Sequence, residues 1–226
     1  QQVTDVNLRT VVDFIWIDGY FMTTDGEYLV VTDLNDPFYV NPLKYGSSEI
    51  SPDRIVALQK VRNEAAAINR YTIEFFQDVG GDYFPFQRIE GAPISKGCVG
   101  TFANCVVNDT LMFVGSGWNE AIAVYTAYNG QFSKLSTSEI EQQLTYYTEA
   151  QLESIICEYK VYNGHNHFMI HLPDQTMVYD INASQTVGEP IWYTMTSTVN
   201  GKGLYRAHNH VYAYNRWNVA DPSTNK

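Results

Sequence analysis

Residues 164–180 read GHNHFMIHLPDQTMVYD, and this segment has the pattern of an antiparallel β-hairpin. Apolar side chains occupy alternate positions from Phe168 to Leu172, the period of two expected of a β-strand. Pro173 and Asp174 predict a turn, because proline presets one backbone dihedral and aspartate bonds back to its own backbone. The alternation resumes on a return strand that ends near Tyr179. Both faces of this hairpin are largely apolar, so we expect neighbouring sheets to cover both of them.

Similar hairpins recur along the chain. Strand-rich units begin near residues 11, 54, 101, 154 and 204, a spacing of roughly 40–55 residues that is typical of β-propeller blades. A β-sandwich is the alternative, but its strands should carry polar outer faces. The runs at residues 65–68 (AAAI) and 111–114 (LMFV) have no such face. We therefore predict an all-β chain that forms a single β-propeller domain over residues 1–226, with about four or five four-stranded blades.

The pattern changes between about residues 138 and 154, where we predict a short helical insert. Two capping boxes, SxxE at residues 138–141 and TxxQ at residues 148–151, can each begin a helix. The apolar residues of this segment follow one helical stripe: Ile140, Leu144 and Tyr147.

The chain is acidic, with 25 Asp and Glu residues against 14 Lys and Arg and a net charge of −11. Such a surface repels phosphate backbones and anionic lipids, so we expect neither direct sequence-specific DNA binding nor membrane binding. No apolar run approaches the roughly 20 residues that a membrane helix needs. The chain begins without methionine, and we expect it to be a piece of a longer protein.

The cysteines are sparse and odd in number: Cys98, Cys105 and Cys157. They indicate neither a disulfide framework nor a metal site. We expect them to be small buried hydrophobic residues in a protein made in a reducing cytoplasm.

Three histidines share one face of the predicted strand, because His165, His167 and His171 have the same parity. A His-x-His pair with a third histidine is the pattern of some catalytic zinc sites, and its functional interpretation would be metal-assisted hydrolysis. The alternative is that His165 belongs to a turn and the other two lie at blade edges. We expect no metal, because the sequence near these histidines offers no carboxylate to orient the imidazoles.

The sequence also lacks a clear catalytic constellation. Propeller glycosidases use two or three carboxylates near the central axis. The candidates for such carboxylates do not occur at the same position in successive units: Asp13, Asp18, Asp33, Glu74 and Glu120. Neither a nucleophile elbow nor a dinucleotide fingerprint is present. We therefore predict no catalytic residue, no cofactor and no enzyme activity, and keep a glycoside hydrolase or carbohydrate-binding module as the alternative.

Several short motifs resemble one family in collinear order. They include YTIEFF at residues 71–76, KGCVGT at 96–101, NGQ at 129–131, IHLPD at 170–174 and VYD at 178–180. The family is that of the packaged-DNA stabilisation proteins of short-tailed phages, also called tail hub or head-completion proteins. Specificity comes from the number and order of these motifs, since none of them is catalytic.

The resemblance implies a function. Members of this family are structural virion proteins that close the portal channel after DNA packaging and serve as a platform for other tail proteins. It implies that this chain is the central propeller region of a longer tail protein, made in the host bacterial cytoplasm and assembled into the virion. The implied partners are the portal protein ring, other copies of the protein in a ring, and the tail needle and tailspike proteins.

The helical insert then has two interpretations. It packs on the outer edge of its own propeller, or its exposed face also meets a neighbouring subunit or the portal. A long connection inside a compact domain is usually functional. The residues that would form this partner interface are Glu139, Glu141, Gln142, Tyr146 and Tyr147.

Overall fold

Antiparallel sheets follow one another along the chain in the computed structural model, which describes residues 3–48, 50–198, 204–221 and 224. The described residues form five sheets, and each of the first four contains a four-stranded meander. The sheets begin at residues 13, 55, 97, 156 and 208, close to the unit starts predicted from the sequence. The fifth sheet has only two strands among the described residues, fewer than the predicted four.

The strand bounds are as follows. The first sheet comprises β1 (Asp13–Ile17), β2 (Tyr20–Thr24), β3 (Tyr28–Val31) and β4 (Tyr45–Ser47), and the second β5 (Ile55–Val61), β6 (Glu64–Asn69), β7 (Ile73–Asp78) and β8 (Phe86–Arg88). The third comprises β9 (Gly97–Cys98), β10 (Asn104–Val107), β11 (Thr110–Ser116), β12 (Ala123–Tyr128) and β13 (Gln131–Lys134). The fourth comprises β14 (Ile156–Tyr162), β15 (His165–His171), β16 (Thr176–Asp180) and β17 (Trp192–Met195), and the fifth β18 (His208–Ala213) and β19 (Arg216–Ala220).

The hairpin at residues 164–180 forms as predicted. Strands β15 and β16 pair with Phe168 opposite Tyr179 and Ile170 opposite Met177. Phe168 and its neighbour Met169 point to opposite faces of the sheet, and both are fully buried. Both faces are therefore covered, which is the property that distinguishes a blade from one layer of a sandwich.

Strand β6 shows the same two-sided burial in the second sheet. Ala65 and Ala67 belong to the cluster shared with the first sheet, whereas Ala66 and Ile68 belong to the cluster on the side of the third sheet. Small side chains on both faces let the sheets approach closely. The AAAI run therefore belongs to a strand that is packed between two neighbouring sheets.

We call the strand that begins the meander of each sheet, or the hairpin of the fifth, its leading strand, and the five leading strands lie side by side. Strand β1 contacts β5, β5 contacts β10, β10 contacts β14, and β14 contacts β18. This order of leading strands is that of propeller blades around an axis.

The helical insert is confirmed between the third and fourth sheets, as α1 (Ser138–Leu144) and α2 (Glu149–Glu153). The capping box of residues 148–151 begins α2 as predicted. The prediction of a capping box at residues 138–141 is wrong, because Thr137 occupies the N-cap of α1 and its side chain makes no capping hydrogen bond. Instead, Glu141 accepts a hydrogen bond from the Ser136 hydroxyl at 3.0 Å.

A third helix, α3 (Ile181–Val187), follows β16 and was not predicted. Asp180 caps it by accepting the N–H of Ala183 at 2.9 Å, and Gly188 ends it in the left-handed region at φ 82°. Across the described ranges, no helix is long and apolar enough to cross a membrane.

Candidate functional site

The five leading strands surround a central cavity of about 440 Å³. Every one of β1, β5, β10, β14 and β18 contributes to its lining. Phe14, Phe102 and Val211 each line it and remain more than half exposed, so part of the lining is apolar. In a propeller, this axial opening is the natural place for a ligand or a partner segment.

Two carboxylates line this cavity, Asp13 and Glu158. Asp13 lies at the start of β1, where its Oδ2 accepts the N–H of Leu58 at 2.8 Å and its Oδ1 accepts the N–H of Phe14 at 2.9 Å. Burial raises the pKa of Asp13, and these amide hydrogen bonds oppose the rise. Both oxygens thus accept hydrogen bonds from backbone N–H groups, and the bond from Leu58 crosses the boundary between the first and second sheets.

Glu158 on β14 joins the fourth sheet to the fifth through what we call the Glu158 cluster, which consists of Glu158, His171, His208, Asn209 and His210. Its Oε1 accepts the N–H of Asn209 at 2.5 Å, and its Oε2 accepts the N–H and the Nδ1–H of His210 at 2.7 and 2.8 Å. His171 Nε2 lies 3.0 Å from Oε1 on the other side. The positive φ of Asn209 (52°) places two successive amides around one anion, as in other backbone anion sites.

Electrostatics in this cluster favour the ionised carboxylate. Burial alone would raise the pKa of Glu158, but the imidazoles of His171 and His210 and the two backbone amides together hold it well below its usual range. The ring of His208 lies 4.0 Å from that of His171. Burial, and next the neighbouring His171, lower the pKa of His208.

The other acids offered from the sequence do not line the cavity. Asp18 lies in the β1–β2 turn with φ 50°. Each of the other three accepts a hydrogen bond at 2.6–2.7 Å: Asp33 from Lys44, Glu74 from Ser48 and Glu120 from Lys96. Of the five candidates only Asp13 reaches the cavity, and Glu158, which the sequence analysis did not single out, joins it.

The three histidines of β15 do lie on one face, but they belong to two different groups. His171 belongs to the Glu158 cluster. His165 Nδ1 lies 2.7 Å from Oδ2 of Asp180, and His167 Nε2 lies 3.7 Å from the same oxygen. A carboxylate therefore does accompany these histidines, contrary to the prediction from the sequence, because β16 places Asp180 directly opposite His167. The predicted blade-edge position is also wrong, because β15 lies between β14 and β16.

The helical insert contacts blades on both sides of the third sheet. In α2, Glu149 accepts two hydrogen bonds from Arg70, at 2.6 and 2.9 Å, and Glu153 pairs with Arg54; both arginines belong to the second blade. At the other side the Tyr147 hydroxyl bonds to Asp174 in the β15–β16 turn. Burial, with the Asp174 hydrogen bond as the next cause, raises the pKa of Tyr147 to about 12.

The five interface candidates of the insert divide into two groups. Glu141 and Tyr147 are engaged within the chain, Glu141 by Lys134 at 3.0 Å in addition to Ser136. Tyr146 is 74% exposed, and Glu139 and Gln142 are exposed beside it on the chain. The buried stripe of Ile140 and Leu144 bears out the packing interpretation, whereas the partner contact stays a prediction.

Comparison with known proteins supplies the family. The model described as "Bacteriophage P22 Gp10, beta-propeller" matches residues 1–226. The chain belongs to this family. Membership confirms both the resemblance found in the sequence and the predicted β-propeller, and the five sheets agree with the blade count.

A curated member of the Gp10 family gives the scale of the relationship. The "Tail hub protein gp10" of Salmonella phage P22 is 27% identical over 228 residues, which cover 97% of this chain and 47% of that protein. The chain thus spans about half the length of this relative. By its name, the relative is a component of a phage tail.

A solved structure of an engineered GH43 glycoside hydrolase, with endo-xylanase and exo-arabinofuranosidase activity, is also similar. It is 12% identical, with a TM-score of 0.38 over 88% of this chain and 43% of that chain. A likeness of this size carries no argument about the activity of this chain.

Proposed function

We propose that this chain is the propeller region of a phage tail hub, a structural virion component rather than an enzyme. In this role it closes the portal channel after DNA packaging and provides a platform for other tail proteins. The observation that carries the proposal is the match of the whole chain to the Gp10 family, together with the tail hub name of a relative aligned over 97% of the chain.

The partners we propose are the portal protein ring, further copies of the same protein in a ring, and the tail needle and tailspike proteins. The net charge of −11 supports closure through protein contacts rather than by gripping DNA, because phosphates would be repelled. Free thiols at Cys98, Cys105 and Cys157 are consistent with synthesis in the reducing host cytoplasm.

Bracing between blades supports a mechanical role. The helical insert connects the second blade to the fourth through Glu149–Arg70 and Tyr147–Asp174, and the Glu158 cluster connects the fourth sheet to the fifth. A channel plug must resist the push of packaged DNA, and such cross-links oppose separation of the blades. A hydrolase would instead require a cavity with free carboxylates.

The direct test is assembly. Full-length protein that contains this region is mixed with purified portal rings, and the complex is imaged by electron microscopy. The proposal expects a closed ring of the protein beneath the portal, with the propeller ordered. Absence of any portal complex, combined with release of reducing sugar from host surface glycans that Asp13→Asn abolishes, would favour the hydrolase alternative.

The insert can be tested in the same assay. Glu139→Lys with Tyr146→Ser changes exposed residues of the insert and spares Glu141 and Tyr147, which have partners within the chain. Glu189→Lys with Tyr83→Ser makes the same chemical changes at exposed positions elsewhere. Both pairs should leave the melting temperature almost unchanged, because surface substitutions usually stay within about 0.5 kcal/mol.

If the exposed face of the insert contacts the portal or a neighbouring copy, only the insert pair weakens assembly. Equal assembly by both variants would leave the insert with its packing role alone. The isolated chain should be folded and monomeric or weakly associated, because closed rings use heterologous interfaces that this region shares with the rest of the protein. A stable hexamer of the isolated chain in light scattering would contradict that expectation.

A further inference from the structure

We propose that His165, His167 and Asp180 form a binding site for a divalent transition metal, with Zn²⁺ as the first candidate. The three side chains can each offer one ligand atom, and these atoms all lie within 4.8 Å of one another. Two imidazoles with one carboxylate are a common protein donor set for zinc. We call this group the His165 site.

The fold brings the ligands together through strand register. His165 and His167 are two residues apart on β15, so both point to the same face. Asp180 is the cross-strand partner of His167 on β16, which places its carboxylate beside both rings. The site therefore stands on paired strands rather than on loops, and its geometry is fixed by the hairpin.

Distances in the site are close to those of a metal centre. Ligand atoms around a tetrahedral Zn²⁺ are roughly 3.4 Å apart, given metal–ligand bonds of about 2.0–2.2 Å. His167 Nε2 already lies 3.7 Å from Oδ2 of Asp180. The hydrogen bond between His165 Nδ1 and that oxygen, at 2.7 Å, must lengthen slightly. His165 is the exposed member of the three and has room to rotate.

His167 is the buried histidine of the site and offers its Nε2 to a metal. Its side chain is 7% exposed, and its Nδ1 is buried with no hydrogen-bond partner among the described residues. Its Nε2 lies beyond hydrogen-bonding distance of Asp180. Nε2 is thus free to bind a metal, although such a metal would leave the buried Nδ1 without a partner.

The carboxylate is held in place by the next helix. Oδ1 of Asp180 accepts the N–H of Ala183 at the start of α3, which leaves Oδ2 directed at the two histidines. Asn182 in the same helix accepts the N–H of Asn166 on β15 at 2.6 Å. Such second contacts orient metal ligands in known sites. A metal here would fasten β15, β16 and the start of α3 together, and three protein ligands would leave its fourth position to water.

The test uses the untagged chain, stripped with a chelator and titrated with Zn²⁺ by calorimetry and with Co²⁺ by visible absorption. We expect one equivalent per chain, a tetrahedral Co²⁺ spectrum, and a higher melting temperature with Zn²⁺. His165→Gln and Asp180→Asn should each weaken binding by more than roughly a hundredfold, since even second contacts cost 10–100-fold. His165→Gln alters an exposed side chain and is the variant most certain to fold.

His208→Gln is the matched control, because it removes a histidine from the Glu158 cluster and leaves the His165 site intact. It should bind Zn²⁺ as the parent chain does. The inference is overturned if the parent chain binds no Zn²⁺, or if His165→Gln and Asp180→Asn bind it normally. Loss of binding in His208→Gln alone would also overturn it, because the metal would then belong to the other cluster.

Discussion

Replacement of Glu158 by glutamine should detach the fifth sheet while leaving the others folded. The β18–β19 hairpin is poorly buried, with Val211, Tyr212 and Val219 each more than half exposed. Apolar packing therefore contributes little to its position. Its main polar anchor to β14 is the Glu158 carboxylate, which receives the N–H groups of Asn209 and His210.

The magnitude follows from the contacts that are lost. The carboxylate accepts three hydrogen bonds at 2.5–2.8 Å from Asn209 and His210, and its side chain is 9% exposed. Removal of one partner from a buried charged group typically costs about 3–5 kcal/mol. Glutamine keeps the shape and one carbonyl oxygen, but it has no charge and turns an NH₂ group toward other donors. We therefore expect a loss of about 3 kcal/mol in the docking of the hairpin, the lower end of that range.

Amide hydrogen exchange read by mass spectrometry measures this locally. A loss of about 3 kcal/mol corresponds to roughly a hundredfold faster exchange in peptides spanning residues 208–220, or to the rate of an undocked hairpin if that is reached first. Peptides spanning residues 165–180 should change little. Glu189→Gln, at an exposed position, is the control. Unchanged exchange at residues 208–220 would refute the anchoring role, and so would uniform acceleration over the whole chain.

The same anchor makes a pH prediction. The folded-state pKa of Glu158 is lowered, so its stabilisation is fully present above the unfolded value of about 4.3 and is lost as the pH falls below it. The lowered pKa of His208 adds an earlier loss, which begins as the pH falls below about 6.5. Protection of residues 208–220 should therefore fall in two stages on acidification, which hydrogen exchange measured across the range from about pH 7 to about pH 3 would resolve.

Two further predictions concern the core. Gly115→Ala should lower the free energy of urea unfolding by at least about 3 kcal/mol, because a Cβ there would lie 1.6 Å from the carbonyl oxygen of Gly97. The control is Gly164→Asn, which lies in a left-handed turn with open space and should leave the free energy of unfolding nearly unchanged. Equal losses in the two variants would contradict the packing argument. Burial raises the pKa of the Cys98 thiol to about 11 and that of Cys157 well above its usual range. Both thiols should therefore not react with a disulfide reagent at pH 8 until the chain is unfolded. Reaction of either in the native state would show that its own blade opens readily, the third for Cys98 and the fourth for Cys157.

Local signals in the sequence were sufficient to predict the blades. The alternation and the Pro173-Asp174 turn of the 164–180 hairpin depend on neighbouring residues only, and the structure reproduces both. The turn also fixes the register, in which His167 lies opposite Asp180. This register places the Asp180 carboxylate beside the histidines. The prediction that no carboxylate lies near them failed because it considered only the residues of β15.

Other features had weak signals or none. Helix α3 has an Asp cap and a terminal glycine, but its interior, NASQT, carries almost no apolar stripe and buries only Ser184. The pairing of Glu158 with His210 joins residues 52 positions apart, between blades whose relative placement no local pattern specifies. The Arg70–Glu149 pair joins residues 79 positions apart and could not be predicted from the sequence for the same reason.

The state of the carboxylates in the cavity bears most directly on the choice between hub and hydrolase. A general acid, base or nucleophile needs an oxygen free to reach the substrate. Both oxygens of Asp13 accept backbone amides, one of them across the first and second sheets. Both oxygens of Glu158 are occupied by the amides and imidazoles that hold the fifth sheet. Either acid could serve in catalysis only by releasing a contact between sheets, so the two carboxylates at the centre of this propeller are better suited to holding blades together than to cleaving a glycosidic bond.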